Sequence, residues 1–384
     1  MNHPKRRIYR RILIPAVLLA TISTAQVQRR QEIILPDLPG YITLKCDFHM
    51  HTIFSDGLVW PTVRVEEAWR DGLDAIALTD HIESTPYKND VIIDYDRPYA
   101  IAEPVAQALG IILIKGAEIT RSMPPGHFNV LFAENIDTLK TPSWETALRT
   151  ARQQDAFVFW NHPGWVGQQL DGSARWDSIH DALYEQGLFQ GVEVVNHFEY
   201  YPEALAWALE KNLTVLANSD IHNAVEVAFD ADDGNRRPLT LVFVRERSAA
   251  GIRDALRERR TVACWGNNLY GSEKYLRPLF DGSIVVEEKQ ARIYGRWLDQ
   301  VRIRNNSAID YRLKLRHDVE NVRVPREITL FAQSTILFEL IGTSSTYSGA
   351  RTVKIPYSVE NLVTGPGEGL AVEIAVDVTF IPTQ

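Results

Sequence analysis

Between Tyr41 and Cys264 the sequence alternates short, near-continuous apolar runs with amphipathic stretches of helical period, a rhythm few folds accept. The apolar runs are residues 43–48, 75–79, 111–114, 128–132, 157–160, 192–195, 214–217 and 241–244. Residues 63–70, 146–153, 202–211 and 249–259 read as helices between them, the first stopped by Asp71-Gly72. A strand apolar on both faces needs cover on both, which alternating helices supply, so the pattern predicts a parallel sheet. With about seven or eight such units, closure into a barrel is the economical arrangement.

After Leu269 the period changes to two. Residues 283–287, 291–297, 300–304, 311–315, 328–331, 335–340, 352–355 and 371–380 alternate apolar and polar, with Gly, Pro and Asn between. That predicts an antiparallel β-sandwich, with residues 270–278 as the junction. The expected division is an export signal over 1–25, a linker over 26–40, an α/β barrel over 41–268 and a small all-β sandwich over 269–384.

The export signal rests on Lys5, Arg6, Arg7, Arg10 and Arg11, the apolar residues 12–20, and the small residues Ser23-Thr24-Ala25. The apolar stretch is too short to span a bilayer, and no other stretch is long enough, so the mature chain is expected to be exported without a membrane span. Loss of five cations takes the net charge from −8 to −13, and no broad basic face remains for duplex nucleic acid. Cys46 and Cys264 lie in apolar contexts and read as buried small hydrophobes rather than a disulfide.

Chemistry gathers where the apolar runs end. The first runs into Asp47-Phe48-His49-Met50-His51 and then Ser55-Asp56-Gly57; the second ends Thr79-Asp80-His81; the third continues to Gly116-Ala117-Glu118. His127 opens the next run, Asn161-His162-Pro163 closes the one after, and Asn218-Ser219-Asp220-Ile221-His222 follows the seventh. Residues i and i+2 of an extended chain share a face, so His49 with His51 and Asp220 with His222 can each aim two ligands at one ion. In a parallel barrel those ends face a single mouth. Mixed imidazole and carboxylate donors suit Zn, Mn or Fe. Nine donors exceed what one ion takes, so a centre of two or three divalent transition-metal ions is expected.

These ordered motifs resemble the PHP family, the polymerase-and-histidinol-phosphatase metallohydrolases, over about residues 43–265. The resemblance implies a distorted, TIM-like seven-stranded barrel and a metal-dependent phosphoesterase acting on a small phosphorylated substrate. By similarity His49, His51, Glu118 and Asp220 hold one ion, and Glu118 bridges to a second held by His127 and His162. Asp56, His81 and His222 take a third, Asp56 standing where other members carry a histidine. Adjacent ions would activate a bridging water for attack on phosphorus, with Asp220 or His222 assisting proton transfer. Arg121, three residues past Glu118, is a candidate bidentate contact to phosphate. His197, Asn196, Trp160 and Trp165 are candidates for shaping the pocket, and Asp80 for supporting a ligand histidine. Two alternatives stand beside this one: an amidohydrolase-type enzyme, which would use a lysine bridge such as Lys115, and a secreted binding protein on a degenerate barrel.

Overall fold

The computed structural model describes residues 29–229 and 235–383; the expected export signal lies outside the described residues. The first part runs β1 (Ile42–Asp47), α1 (Pro61–Arg70), β2 (Ala75–Leu78), α2 (Arg97–Leu109), β3 (Ile112–Ile119), β4 (Phe128–Leu131), α3 (Trp144–Gln153) and β5 (Phe157–Trp160). It continues α4 (Ser178–Glu185), β6 (Gly191–Asn196), β7 (Glu199–Tyr200), α5 (Pro202–Glu210), β8 (Thr214–Asn218), α6 (Val225–Ala228), β9 (Leu239–Val244), α7 (Ala249–Arg257), β10 (Thr261–Trp265) and β11 (Asn268–Tyr270). All eight apolar runs form strands. Helix α2 has Pro98 in its first turn and Pro104 inside it, and its Ala102 and Ala106 are buried beside Ile111 and Leu113.

Strand direction departs from the expected parallel sheet. Pairs β1–β2, β2–β3, β5–β6 and β6–β8 are parallel, whereas β3–β4, β4–β5, β1–β9 and β9–β10 are antiparallel. The reason at β4 is chain length: residues 120–127 are too few for a crossover, so the chain must turn back. Ile119 thus pairs with Phe128, and the start of β4 lies beside the end of β3.

A closed barrel is not formed by the ladder, and the seven-strand count is not reproduced. Hydrogen-bonded order runs from β10 through β9, β1, β2, β3, β4, β5 and β6 to β8, and no ladder joins β8 to β9. The buried hydroxyl of Thr240 in β9 bridges that seam instead, accepting from the Ala217 N–H and donating to the Ala217 carbonyl, both at 2.9 Å.

The expected junction is a helix. Residues of α8 (Glu273–Ser283) put Tyr275, Leu276, Leu279 and Phe280 on one buried face, packed with Leu241 and Phe243 of β9. Beyond it come β12 (Ile284–Val286), β13 (Gln290–Tyr294), β14 (Leu298–Asn305), β15 (Tyr311–Leu315), β16 (Val322–Arg323), β17 (Glu327–Leu330), β18 (Thr335–Gly342), β19 (Gly349–Gly365) and β20 (Glu368–Ile381). The sheet β12-β14-β18-β16 faces a second sheet built on β13, β20, β19, β15 and β17, with Val301, Ile303 and Phe338 meeting Ile355, Tyr357 and Val376 in one core. The pairing is antiparallel except that β13 runs parallel to β20. Strand β19 also pairs with β11, so the large mixed sheet continues from the first part into the sandwich. Cys46 and Cys264 are free and buried. No helix among the described residues is long and apolar enough to cross a membrane.

Candidate metal centre

The strand ends are stitched together through their backbones. His51 N–H donates to the Ile221 carbonyl and Asp220 N–H to the His49 carbonyl, while Ile82 N–H donates to the Glu118 carbonyl and Glu118 N–H to the Asp80 carbonyl. His49 and His51 therefore lie just past β1 in an extended segment, their rings 5.2 Å apart. The turn at Ser55-Asp56-Gly57 presses on the His51–Thr52 backbone so closely that a Cβ on Gly57 would sit 2.5 Å from the His51 carbonyl carbon, so only glycine fits. Because β4 is reversed, His127 at its start sits beside Glu118 near the end of β3. His162 and Asp220 take positive φ, 26° and 50°, an uncommon conformation for such residues that clusters at functional sites.

The nine expected ligands gather in one cluster, with five of the imidazoles around the buried Glu118 carboxylate. Its Oε2 lies 3.0 Å from His49 Nε2, 3.3 Å from His51 Nε2 and 3.3 Å from His81 Nδ1; its Oε1 lies 2.7 Å from His127 Nδ1 and 3.9 Å from His162 Nε2. Asp220 Oδ1 is 3.2 Å from His49 Nε2 and 3.0 Å from His51 Nε2. Asp56 Oδ1 is 3.3 Å from His222 Nε2 and 3.5 Å from His81 Nε2. The rings of His81 and His222 stack on His51 at 4.4 and 4.1 Å.

Three groups have donor atoms close enough to share an ion: His51, Asp56, His81 and His222; His49, His51 and Asp220; and His49, Glu118 and His162. The grouping differs from the expected one. Glu118 is not in the group of His49, His51 and Asp220, His51 also faces the Asp56 group, and among the described residues His127 joins no group, its Nδ1 meeting Glu118 while its Nε2 stands 3.1 Å from Gln168 Nε2. The donors fit cations: His51 Nε2, Asp56 Oδ1 and His162 Nδ1 are buried without a hydrogen-bond partner, a costly state for polar atoms that a bound ion would relieve.

The electrostatics show how strongly the cluster is coupled. Burial opposes charge on His49, but the carboxylates of Asp220, Glu193 and Glu118 outweigh it and raise its pKa well above the ordinary imidazole value. Burial likewise opposes protonation of His51, yet the carboxylates of Asp220 and Glu118 beside its Nε2 push its pKa up to about 9. Burial would raise Glu118 and Asp220, but neighbouring imidazoles, His81 and His49 for Glu118 and His49 and His51 for Asp220, hold both well below the usual carboxylate range. Burial lowers His81 to about 4 against the opposing pull of the Glu118 carboxylate, with His51 adding to the lowering.

Supporting residues complete the centre. Glu193 on β6, fully buried, accepts from His49 Nδ1–H at 2.9 Å, His162 N–H at 2.8 Å, Asn196 Nδ2 at 2.8 Å and Asn218 Nδ2 at 3.0 Å. That fixes the tautomer of His49 with its lone pair at Nε2, on the side of Glu118 and Asp220. Sequence reasoning passed over Glu193, although a lone carboxylate inside the apolar run Val192-Glu193-Val194-Val195 was the signal. Arg64, also missed, is fully buried on α1 and donates to the carbonyls of His51, Ile221, His222 and Asn223 and to Glu67 Oε2. Asp80 acts at one remove: it accepts from Thr52 and Ser55, and Ser55 Oγ stands 3.4 Å from His51 Nδ1.

Not every candidate reaches the cavity, which measures about 630 Å3. His197, Asn196 and Trp165 line it. Arg121 does not, because its guanidinium is tied to Glu83 and the Thr120 carbonyl; the expected phosphate contact is corrected on that ground. Trp160 is buried against His180 and Trp207. Lys115 donates to the Glu134 carbonyl and pairs with Asp96, away from the centre, which leaves no lysine bridge of the amidohydrolase kind.

Comparison with known proteins agrees with this geometry. A two-domain protein of Bacteroides vulgatus ATCC 8482, containing a predicted PHP-like metal-dependent phosphoesterase, is 44% identical in sequence. The match covers 91% of this chain and 99% of that one, with a TM-score of 0.86. The chain belongs to the PHP-like metal-dependent phosphoesterases. Members of this family are hydrolases acting on ester bonds. An Ig-like domain model, DUF5001, matches residues 284–375 of this phosphoesterase, in accord with its C-terminal sandwich. A curated 5'-3' exoribonuclease of Haemophilus influenzae is 38% identical over 79 residues, which is 21% of this chain. The chain spans about a quarter of that relative's length, 24%.

Proposed function

We propose that this phosphoesterase is exported and hydrolyses phosphate mono- or diesters at a centre of two or three divalent transition-metal ions. The observation that carries the reading is the gathering of nine imidazole and carboxylate side chains, Glu118 among them, from six strand ends into one cluster. His49, His51 and Asp220 would hold one ion, Glu118 with His162 and His49 a second, and His51, Asp56, His81 and His222 a third. Ions bound there would supply Lewis acidity, lowering the pKa of water and neutralising phosphate oxygens.

The chain's own residues do the rest. Glu118 turns Oε2 toward His49, His51 and His81 and Oε1 toward His127 and His162. His222 gives its Nδ1–H to the Asp220 carbonyl at 2.9 Å, which leaves Nε2 on the cavity side as ligand or proton acceptor. His197 likewise commits Nδ1 to the Ser219 carbonyl, so Nε2 is the atom available to a substrate oxygen. Asp220 or His222 takes up the proton released on attack.

The test is elemental analysis and turnover of the chain lacking residues 1–25. About two or three Zn, Mn or Fe ions per chain are expected, with hydrolysis of aryl phosphate mono- or diesters. His49→Ala and Glu118→Ala should abolish turnover in folded protein. Absence of bound metal together with no hydrolysis after Zn, Mn or Fe is supplied would overturn the reading.

A further inference from the structure

The phosphoesterase reading leaves open what the phosphoryl group is attached to, and the lining of the cavity bears on that. A volume of about 630 Å3 exceeds the needs of a phosphoryl group and falls in the range of sites that enclose a whole small molecule. None of the described residues lining it is a lysine or an arginine. The arginines beside its loops are committed elsewhere: Arg121 to Glu83, and Arg64 to Glu67 and four backbone carbonyls. Glu199 adds a further carboxylate to the lining. A second phosphoryl group or a carboxylate on the substrate would therefore meet no cationic side chain, and would lose hydration without a partner.

Beyond the seven ligands that line it and a few polar groups such as Asn196 and Asn223, the cavity offers aromatic and apolar surface. Trp165, Phe198 and Val227 line the cavity and are 40%, 41% and 72% exposed. Trp165 packs against His162 and His127 at 5.3 and 6.0 Å between ring centroids, and Phe198 packs against His197 and Phe229 at 4.3 and 4.9 Å. The two rings come from different loops, one after β5 and one between β6 and β7. Each is braced on one side and open on the other. Braced aromatic faces beside a wall without lysine or arginine are complementary to a flat, neutral ring, which gains both burial and ring-to-ring contact there.

Resting on the phosphoesterase reading, we propose that the site takes an ester bearing a single phosphoryl group whose leaving alcohol carries an uncharged aromatic ring, received by Trp165 and Phe198. The experiment uses the full metal-loaded protein with benzyl phosphate, glycerol 2-phosphate and adenosine 3',5'-bisphosphate. The first two are both alkyl esters, so intrinsic reactivity does not decide between them. Benzyl phosphate is expected to exceed glycerol 2-phosphate in kcat/KM by about tenfold, and to exceed the bisphosphate by at least as much. Trp165→Ala and Phe198→Ala should each cut the benzyl-to-glycerol ratio about fivefold, and Trp165→Phe should keep most of it. Calorimetry gives a readout free of turnover: benzylphosphonate should bind about tenfold tighter than methylphosphonate, and the two alanine variants should narrow that gap. Equal rates for benzyl and glycerol esters, a preference for the bisphosphate, or ratios untouched by both alanine variants would overturn this proposal while leaving a working phosphoesterase. No hydrolysis of any ester would instead overturn the reading beneath it.

Discussion

Replacing Glu193 by glutamine keeps the shape of the side chain and changes only which of its atoms accept. The carboxylate receives four hydrogen bonds: Oε1 takes those of His49 and Asn218, and Oε2 those of the His162 backbone and Asn196. A carboxamide has one oxygen and one NH2, so whichever way it turns, the NH2 confronts two donors. A buried donor left unsatisfied costs about 1–3 kcal/mol, and the removal of a buried charge offsets part of the total, so a net loss of about 3 kcal/mol is expected. If the NH2 faces His49, the ring must carry its proton on Nε2, the atom directed at Glu118 and Asp220, and the group loses a ligand. If it faces the other way, the His162 backbone is pushed out of place. Either outcome lowers ion affinity by about 10- to 100-fold. Urea unfolding of the ion-free protein measures the first quantity and competition with a chelator the second. A Glu193→Gln protein with wild-type ion affinity and unfolding free energy within about 0.5 kcal/mol of wild type would refute the reasoning.

Two further predictions follow from the same cluster. In ion-free protein the His51 pKa is raised from 6.5 to about 9, so its stabilising contribution is complete below pH 6.5 and lost as pH climbs through about 9. The Tm in chelator should fall across that window, and ion affinity should rise across it because ions displace protons; a flat Tm would refute the coupling. Arg64→Met removes five hydrogen bonds and strands the buried Glu67 carboxylate, a loss of about 3–5 kcal/mol in urea unfolding. A loss below about 1 kcal/mol would mean that the carbonyls of His51 and His222 do not depend on it.

What could be read from the chain alone was whatever depends on neighbours in sequence. Apolar runs at 43–48 or 157–160 have no alternative to burial, and ligands placed just past them share an end of the sheet wherever those strands run parallel. Glu193 and Arg64 show where this stops. Each is one polar residue in a buried segment, and its partners, His49 and His162 or the carbonyls of Ile221 and His222, lie far away along the chain. Arg121 shows the converse, for its nearness to Glu118 in sequence says nothing of Glu83, which claims it.

The local pattern of the sequence determined most of the strands, four of the eight helices among the described residues and the identity of the metal-seeking side chains, because burial and side-chain alternation act over a few residues. Only the tertiary structure decided that β4 turns back and brings His127 beside Glu118, that Thr240 bridges an open ladder, and that β19 carries the sheet into the sandwich. Those outcomes depend on which backbone groups meet across the sheet, and pairing between distant segments leaves no periodic trace in either partner.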